Sequence, residues 1–324
     1  MPDPTVDLAR ETVPPDEQSV TTDFIAFLKQ ASAARHPSGT IRRFNQARAC
    51  GCVEAEFIVT ADLAPELKVG LFAHPRRYSA WIRFANATSA TDRDKDVRGM
   101  SIKVRGVSGD NLTPGADVQD FVLNSHPVMM VPGPKEFLEL LRAVEAGGVR
   151  RAGYFLTHPR AASIAFASRQ QPSSHLDIPY WSTTPYLFGD GRAVKYIIRP
   201  ASTGQRPRPR VTDTYLHDEL NARLSHEDAT FGFYVQFQRD PKTMPVEDAS
   251  AEWRERDSPY VRIAEIRIPR QSIDAPGREQ LCERTSFNPW HALAAHRPLG
   301  AMNRTRRAIY DAMQAFRESR VANS

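Results

Sequence analysis

Phe231-Gly232-Phe233-Tyr234-Val235-Gln236-Phe237 places an apolar side chain at every second position. Successive side chains of a strand point to opposite faces, so this run predicts a strand over about 230–239 with one face buried. Strands of similar composition flank it at about 191–199 and 261–269, with a helix at about 214–225 among them. A second group of strands stands upstream, at about 50–60, 79–86, 97–107 and 118–124, punctuated by Pro75, Ser108-Gly109-Asp110-Asn111 and Pro114-Gly115. Between the groups lie helical patterns at about 134–146 and 159–169, and a threonine-capped helix at about 20–35 precedes them all. Two groups of strands separated by a helical excursion define an α+β chain compatible with one closed antiparallel β-barrel and surrounding helices.

The last helical segment, 303–318, carries the chemistry. Arg306, Tyr310 and Arg317 fall on one stripe of a helix with about 3.6 residues per turn. A cation beside a phenol favours its charged form, and a phenolate is a protein ligand that haem iron accepts. An arginine about two turns away suits a carboxylate. Ile309, Met313 and Phe316 also recur at helical spacing, so the same stretch reads equally as an amphipathic helix with Tyr310 in its core.

Other segments discriminate between these readings. Arg43-Phe44-Asn45-Gln46, Trp81-Ile82-Arg83-Phe84, Asp96 to Val104, Gln119 to Asn124, Pro127 and Phe137 follow in order. The tail reads Ser286-Phe287-Asn288-Pro289-Trp290 and His296-Arg297-Pro298-Leu299-Gly300. Over about residues 40–318 this order resembles the haem catalases, and most of all their short, catalase-related branch. The resemblance implies a catalase-like barrel in a single domain at 21–324, preceded by an N-terminal arm at 1–20. It implies haem b, with Tyr310 as the iron ligand and Arg306 as its charge partner. Arg43, Arg83 and Arg317 match the arginines that hold the propionates, Asn124 the distal asparagine, and Phe137 the phenylalanine against the porphyrin.

Gln46 departs from the family. It occupies the position of the distal histidine, and an amide does not titrate, so it cannot shuttle a proton as imidazole does. Ala85 removes a distal hydroxyl, Asn45 replaces an apolar neighbour, and Met129 stands where an aromatic is common. Asn45, Gln46 and Asn124 then form a set of amides suited to positioning a substrate by hydrogen bonds. The expected activity is a haem-dependent oxidation or rearrangement of a peroxide or organic molecule, with weak dismutation of hydrogen peroxide. The alternative is a haem-binding or sensing protein without turnover. His126 reads as a surface histidine.

Composition sets the remaining bounds. The 324 residues are 41% hydrophobic and 25% charged, with a net charge of +5, and no apolar run reaches the ~18 residues of a membrane span. The basic residues are dispersed, and the densest cluster, Arg206-Pro207-Arg208-Pro209-Arg210, lacks aromatic stacking platforms, so a nucleic-acid partner is not expected. The expected partner is a small-molecule substrate, with no membrane partner and a homodimer formed through the arm. The acidic, proline-rich beginning lacks the pattern of a signal peptide, which predicts a cytoplasmic protein. Cys50, Cys52 and Cys282 form no zinc pattern and read as reduced thiols, with Cys50 close enough to Gln46 in sequence to be a pocket thiol. His291 and His296, five apart, read as hydrogen-bonding residues of the tail, and Asp96 with Arg98 as an ion pair at the barrel rim.

Overall fold

The computed structural model describes residues 7–38, 41, 43–202 and 209–321. Arg206 to Arg208, part of the basic cluster, lie outside the described residues. The strands predicted from alternation are present: β1 (Arg48–Val59), β2 (Arg77–Asn86), β3 (Arg98–Arg105), β4 (Val118–Asn124), β7 (Ala193–Pro200), β8 (Ala229–Phe237) and β9 (Val261–Ile268). Two strands of two residues each, β5 (Tyr180–Trp181) and β6 (Tyr186–Leu187), are too short to show a period.

All strand pairings are antiparallel, in the order β5-β4-β3-β2-β1-β9-β8-β7-β6. β5 closes the ring: Trp181 pairs with Asn124 of β4 on one side and Ile197 of β7 on the other. Eight strands therefore form a closed barrel, and β6 extends the remaining edge of β7. The alternation in β8 does what the sequence demands. Phe231, Phe233 and Val235 are fully buried, and Phe233 meets Phe57 at 5.1 Å and Phe121 at 4.9 Å between ring centroids. A cluster of interlocked rings fills the barrel, each ring pair worth about 0.5–1.5 kcal/mol beyond its area burial.

The helices are α1 (Glu17–Arg35), α2 (Pro134–Ala146), α3 (Gly148–Thr157), α4 (Pro159–Ser168), α5 (Tyr215–Leu224), α6 (Arg278–Arg284) and α7 (Ala301–Val321). α3 was not foreseen, because Gly147-Gly148 reads as a break. On α7, Ile309, Met313 and Phe316 join Phe24, Leu28 and Leu138 in a second apolar cluster that seats α1 and α2. Tyr310 is not in that cluster. The tail motif pins the approach to α7: Asp120 accepts from Asn288 N at 2.9 Å, contacts His291 Nδ1 at 2.9 Å and pairs with Lys103 at 2.7 Å, while Trp290 Nε1 donates to Asn303 O at 2.7 Å. His296 is buried and accepts from Leu71 N at 3.1 Å. Both histidines thus make the hydrogen bonds expected of them. Residues of the N-terminal segment lie against their own chain, with Glu11 contacting Arg297, Arg304 and Gly300 N.

Two expectations are corrected. Asp96 and Arg98 do not pair with each other; Asp96 caps a turn by accepting from Thr88 N and Ser89 N, and Arg98 donates to Asn86 and to the carbonyls of Asp94 and Gln170. Cys52 of β1 and Cys282 of α6 are joined in a disulfide with their Cα atoms 5.8 Å apart, so they are not the reduced thiols expected. Their separation of 230 residues hid the pairing. Cys50 is fully buried, donates to Asn86 and Asp92, and has its thiol pushed up by burial and then by Asp92; it does not line the cavity described below. Removing a bond that closes so long a loop costs about 2–5 kcal/mol. Cys282→Ser is therefore expected to lower the denaturant midpoint by that equivalent, and an unchanged midpoint would mean that the bond does not form in solution.

Candidate active site

Alternation places the site outside the barrel. Along β2, β3 and β4 the residues Ile82, Phe84, Met100, Ile102, Phe121 and Leu123 enter the barrel core, so Arg83, Ser101, Val122 and Asn124 face outward. That outer wall, roofed by α1, α2, α3, α4 and α7, bounds a cavity of about 1050 Å³. Its volume is at the upper end of the roughly 300–1,000 Å³ typical of small-molecule sites. All nine residues singled out in the sequence line it: Arg43, Asn45, Gln46, Arg83, Asn124, Phe137, Arg306, Tyr310 and Arg317.

At one end Arg43 and Arg83 converge on one carboxylate, and Arg317 lies within reach of the charges of Arg43, Glu318 and Glu283. Glu283 pairs with Arg43 at 3.0 Å and with Arg83 at 3.6 Å, and Arg43 also donates to the carbonyls of Glu283 and Thr285 at 3.1 and 2.8 Å. Burial, with Arg43 beside it, brings Arg83 down to about 10; burial and Arg43 also lower Arg317. Arg83 Nε is buried without a hydrogen-bond partner. The cluster is thus short of negative charge. Glu283 follows Cys282 directly, so the disulfide to β1 holds that carboxylate over the arginines. Sequence spacing gave no hint of this, because Glu283 is 240 residues from Arg43 and 200 from Arg83.

Tyr310 faces the cavity from α7 and is partly buried. One turn before it, Arg306 is oriented by Asn303 Oδ1 at 3.3 Å, Thr184 Oγ1 at 3.4 Å and the Met129 sulfur at 3.8 Å. Thr184 and Asn303 are buried and hydrogen-bonded to one another at 3.1 Å. Neither was singled out beforehand. A direct metal site has no donor set here: among the described residues no three His, Cys, Asp or Glu groups are placed to hold an ion.

Opposite, Gln46 is held at three points. Its N donates to Ala87 O at 2.7 Å, its O accepts from Arg83 Nη2 at 2.8 Å, and its Nε2 donates to Asn124 Oδ1 at 3.3 Å. The backbone there has φ 54°, a conformation few non-glycine residues adopt. Gly99 makes room for it: a Cβ at Gly99 would sit 2.4 Å from Gln46 Nε2. Asn45 is exposed at the cavity rim. His126, read as a surface residue, instead lines the cavity half-buried, and burial lowers its pKa against the opposing effect of Glu252.

No family model and no curated protein matches the chain. Solved structures do. A fungal catalase is 15% identical over 88% of this chain, with a TM-score of 0.67, and catalase A from Saccharomyces cerevisiae is 17% identical over 98%, with a TM-score of 0.68. This chain spans 61% of the first and 68% of the second. The likeness is one of fold: the chain has the closed antiparallel barrel and flanking helices of the catalases.

Proposed function

We propose that the chain is a haem-dependent oxidoreductase that acts on a peroxide or an organic substrate and dismutes hydrogen peroxide poorly. The observation that carries this reading is a cluster of three arginines at one end of a large cavity, with Arg43 and Arg83 sharing the one carboxylate of Glu283 and Arg83 Nε left without an acceptor, in a cavity that also holds a phenol beside an oriented arginine. A tetrapyrrole with two carboxylates fits that set. Arg43, Arg83 and Arg317 would hold its propionates, the orphan Arg83 Nε finding an acceptor there, Phe137 would lie against the ring, and Tyr310 would ligate the iron with Arg306 beside it. When bound, haem supplies an iron that polarises an oxygen–oxygen bond.

The chain's own contribution is positional. The Gln46 and Asn124 amides, fixed to each other and to the barrel, orient a substrate oxygen by donating and accepting hydrogen bonds, and neither carries a proton away. A hydroperoxide or another organic substrate that needs orientation more than acid-base assistance suits them. Haem titration tests the charge argument. Each charge-assisted hydrogen bond is worth about 1.5–3 kcal/mol, so Arg83→Ala or Arg317→Ala is expected to weaken hemin binding about 10–100-fold, read from the Soret band. Glu283→Gln, which removes the competing carboxylate, is expected to tighten it. If all three variants bind hemin like the parent, the arginine cluster does not hold the cofactor.

A further inference from the structure

The most exposed of the large apolar side chains stand together. Among the described residues Val149, Leu156 and Phe166 are 87%, 82% and 87% exposed, well beyond any other, and all three stand on the neighbouring helices α3 and α4. Val149 and Leu156 are two turns apart and form one stripe on α3. Phe166 is both exposed and part of the cavity wall, which places it at the mouth. The opposite side of α3 is occupied, because Tyr154 and Phe155 pack against Val131, Leu140 and Ala161.

Charge identifies what this face meets. Between Glu145 and Asp177 the sequence has no acidic residue and four arginines, Arg150, Arg151, Arg160 and Arg169. All four are exposed, and Arg151 and Arg169 also line the cavity. Glu136 and Glu139 of α2 act on Tyr154, on the packed side of α3. A second copy apposed by a two-fold axis would bring these arginines against one another. An anionic bilayer satisfies both features, since the apolar stripe enters the headgroup boundary while the guanidinium groups meet phosphates.

The geometry points to a docking surface for an anionic lipid bilayer on the outer face of α3 and α4, with the cavity opening into it. An apolar compound dissolved in the bilayer then reaches the cavity through the mouth at Phe166 without crossing water. No helix of the described residues is long and apolar enough to cross a membrane, and surface docking requires none. The absence of a membrane partner expected from the sequence rested on spans alone.

Vesicle flotation with the full chain tests this, and because it reads lipid binding rather than haem, its failure is separate from failure of the haem reading. The chain is expected to float with phosphatidylcholine vesicles containing phosphatidylglycerol and to remain behind with pure phosphatidylcholine. At about fivefold per arginine near the surface, Arg150→Ala, beside the apolar stripe and outside the cavity wall, is expected to weaken binding about fivefold. Val149→Ser with Leu156→Ser, both exposed and outside the cavity wall, is expected to weaken it more than about tenfold. Equal binding to both vesicle types, or no binding to either, overturns the proposal. So does a dimer in sedimentation that Val149→Ser with Leu156→Ser converts to monomer without any vesicle binding, which would assign the face to a second copy.

Discussion

Tyr310→Phe is expected to lose haem while leaving the fold intact. The substitution deletes one oxygen and keeps the ring, and the neighbours that seat α7, namely Ile309, Met313 and Phe316, are untouched. Circular dichroism and the denaturant midpoint should therefore match the parent. Partners that merely orient a metal ligand are worth about 10–100-fold in affinity, so loss of the ligand itself should weaken hemin retention by at least that factor and remove the charge-transfer bands of a phenolate-ligated iron. Arg306→Ala should do less, since it leaves the oxygen in place and removes only the cation that Thr184 and Asn303 orient beside it. If Tyr310→Phe retains hemin with unchanged affinity and bands, the phenol is not the ligand, and a folded variant rules out the trivial explanation.

The barrel was legible because one face of its strands enters an apolar core and the other does not: in β8 and in the outward Arg83, Ser101 and Asn124 the period of two shows in the residue types themselves. What closes the barrel was not legible, since β5 contributes only Tyr180 and Trp181. The same division runs through the site. Arg43, Gln46, Arg83, Tyr310 and Arg317 stood out through the resemblance to the haem catalases, and the structure gathers them around one cavity. Glu283, Thr184 and Asn303 did not, because their part depends on contacts across more than a hundred residues or, for Asn303, on a buried side chain that resembles any other helix-start asparagine. The disulfide shows the limit most plainly. Cys52 and Cys282 have no local pattern, yet their bond positions the carboxylate that faces the arginines.

Gln46→His is expected to raise hydrogen peroxide turnover, because the pocket lacks a proton shuttle at this position rather than a place for one. The backbone at 46 is tied to Ala87 and Arg83, and its side chain lies over Gly99 and reaches Asn124. An imidazole introduced there inherits the fixed backbone and adds a group that titrates near neutrality. General acid-base assistance is worth about 10²–10⁴ in rate, so oxygen evolution by haem-loaded Gln46→His should exceed the parent by part of that range. Asn124→Ala should lower the activity of either protein by removing the amide that fixes the neighbouring side chain. Gly99→Ala added to Gln46→His should cancel the gain, since a Cβ there occupies the space under residue 46. The contrary result is equally readable. If the parent already evolves oxygen rapidly and Gln46→His adds nothing, the proton passes through another group, and His126 in the cavity wall, whose lowered pKa favours the neutral base, is the candidate; loss of that activity in His126→Ala would then replace Gln46 with His126 as the residue that defines the chemistry of this pocket.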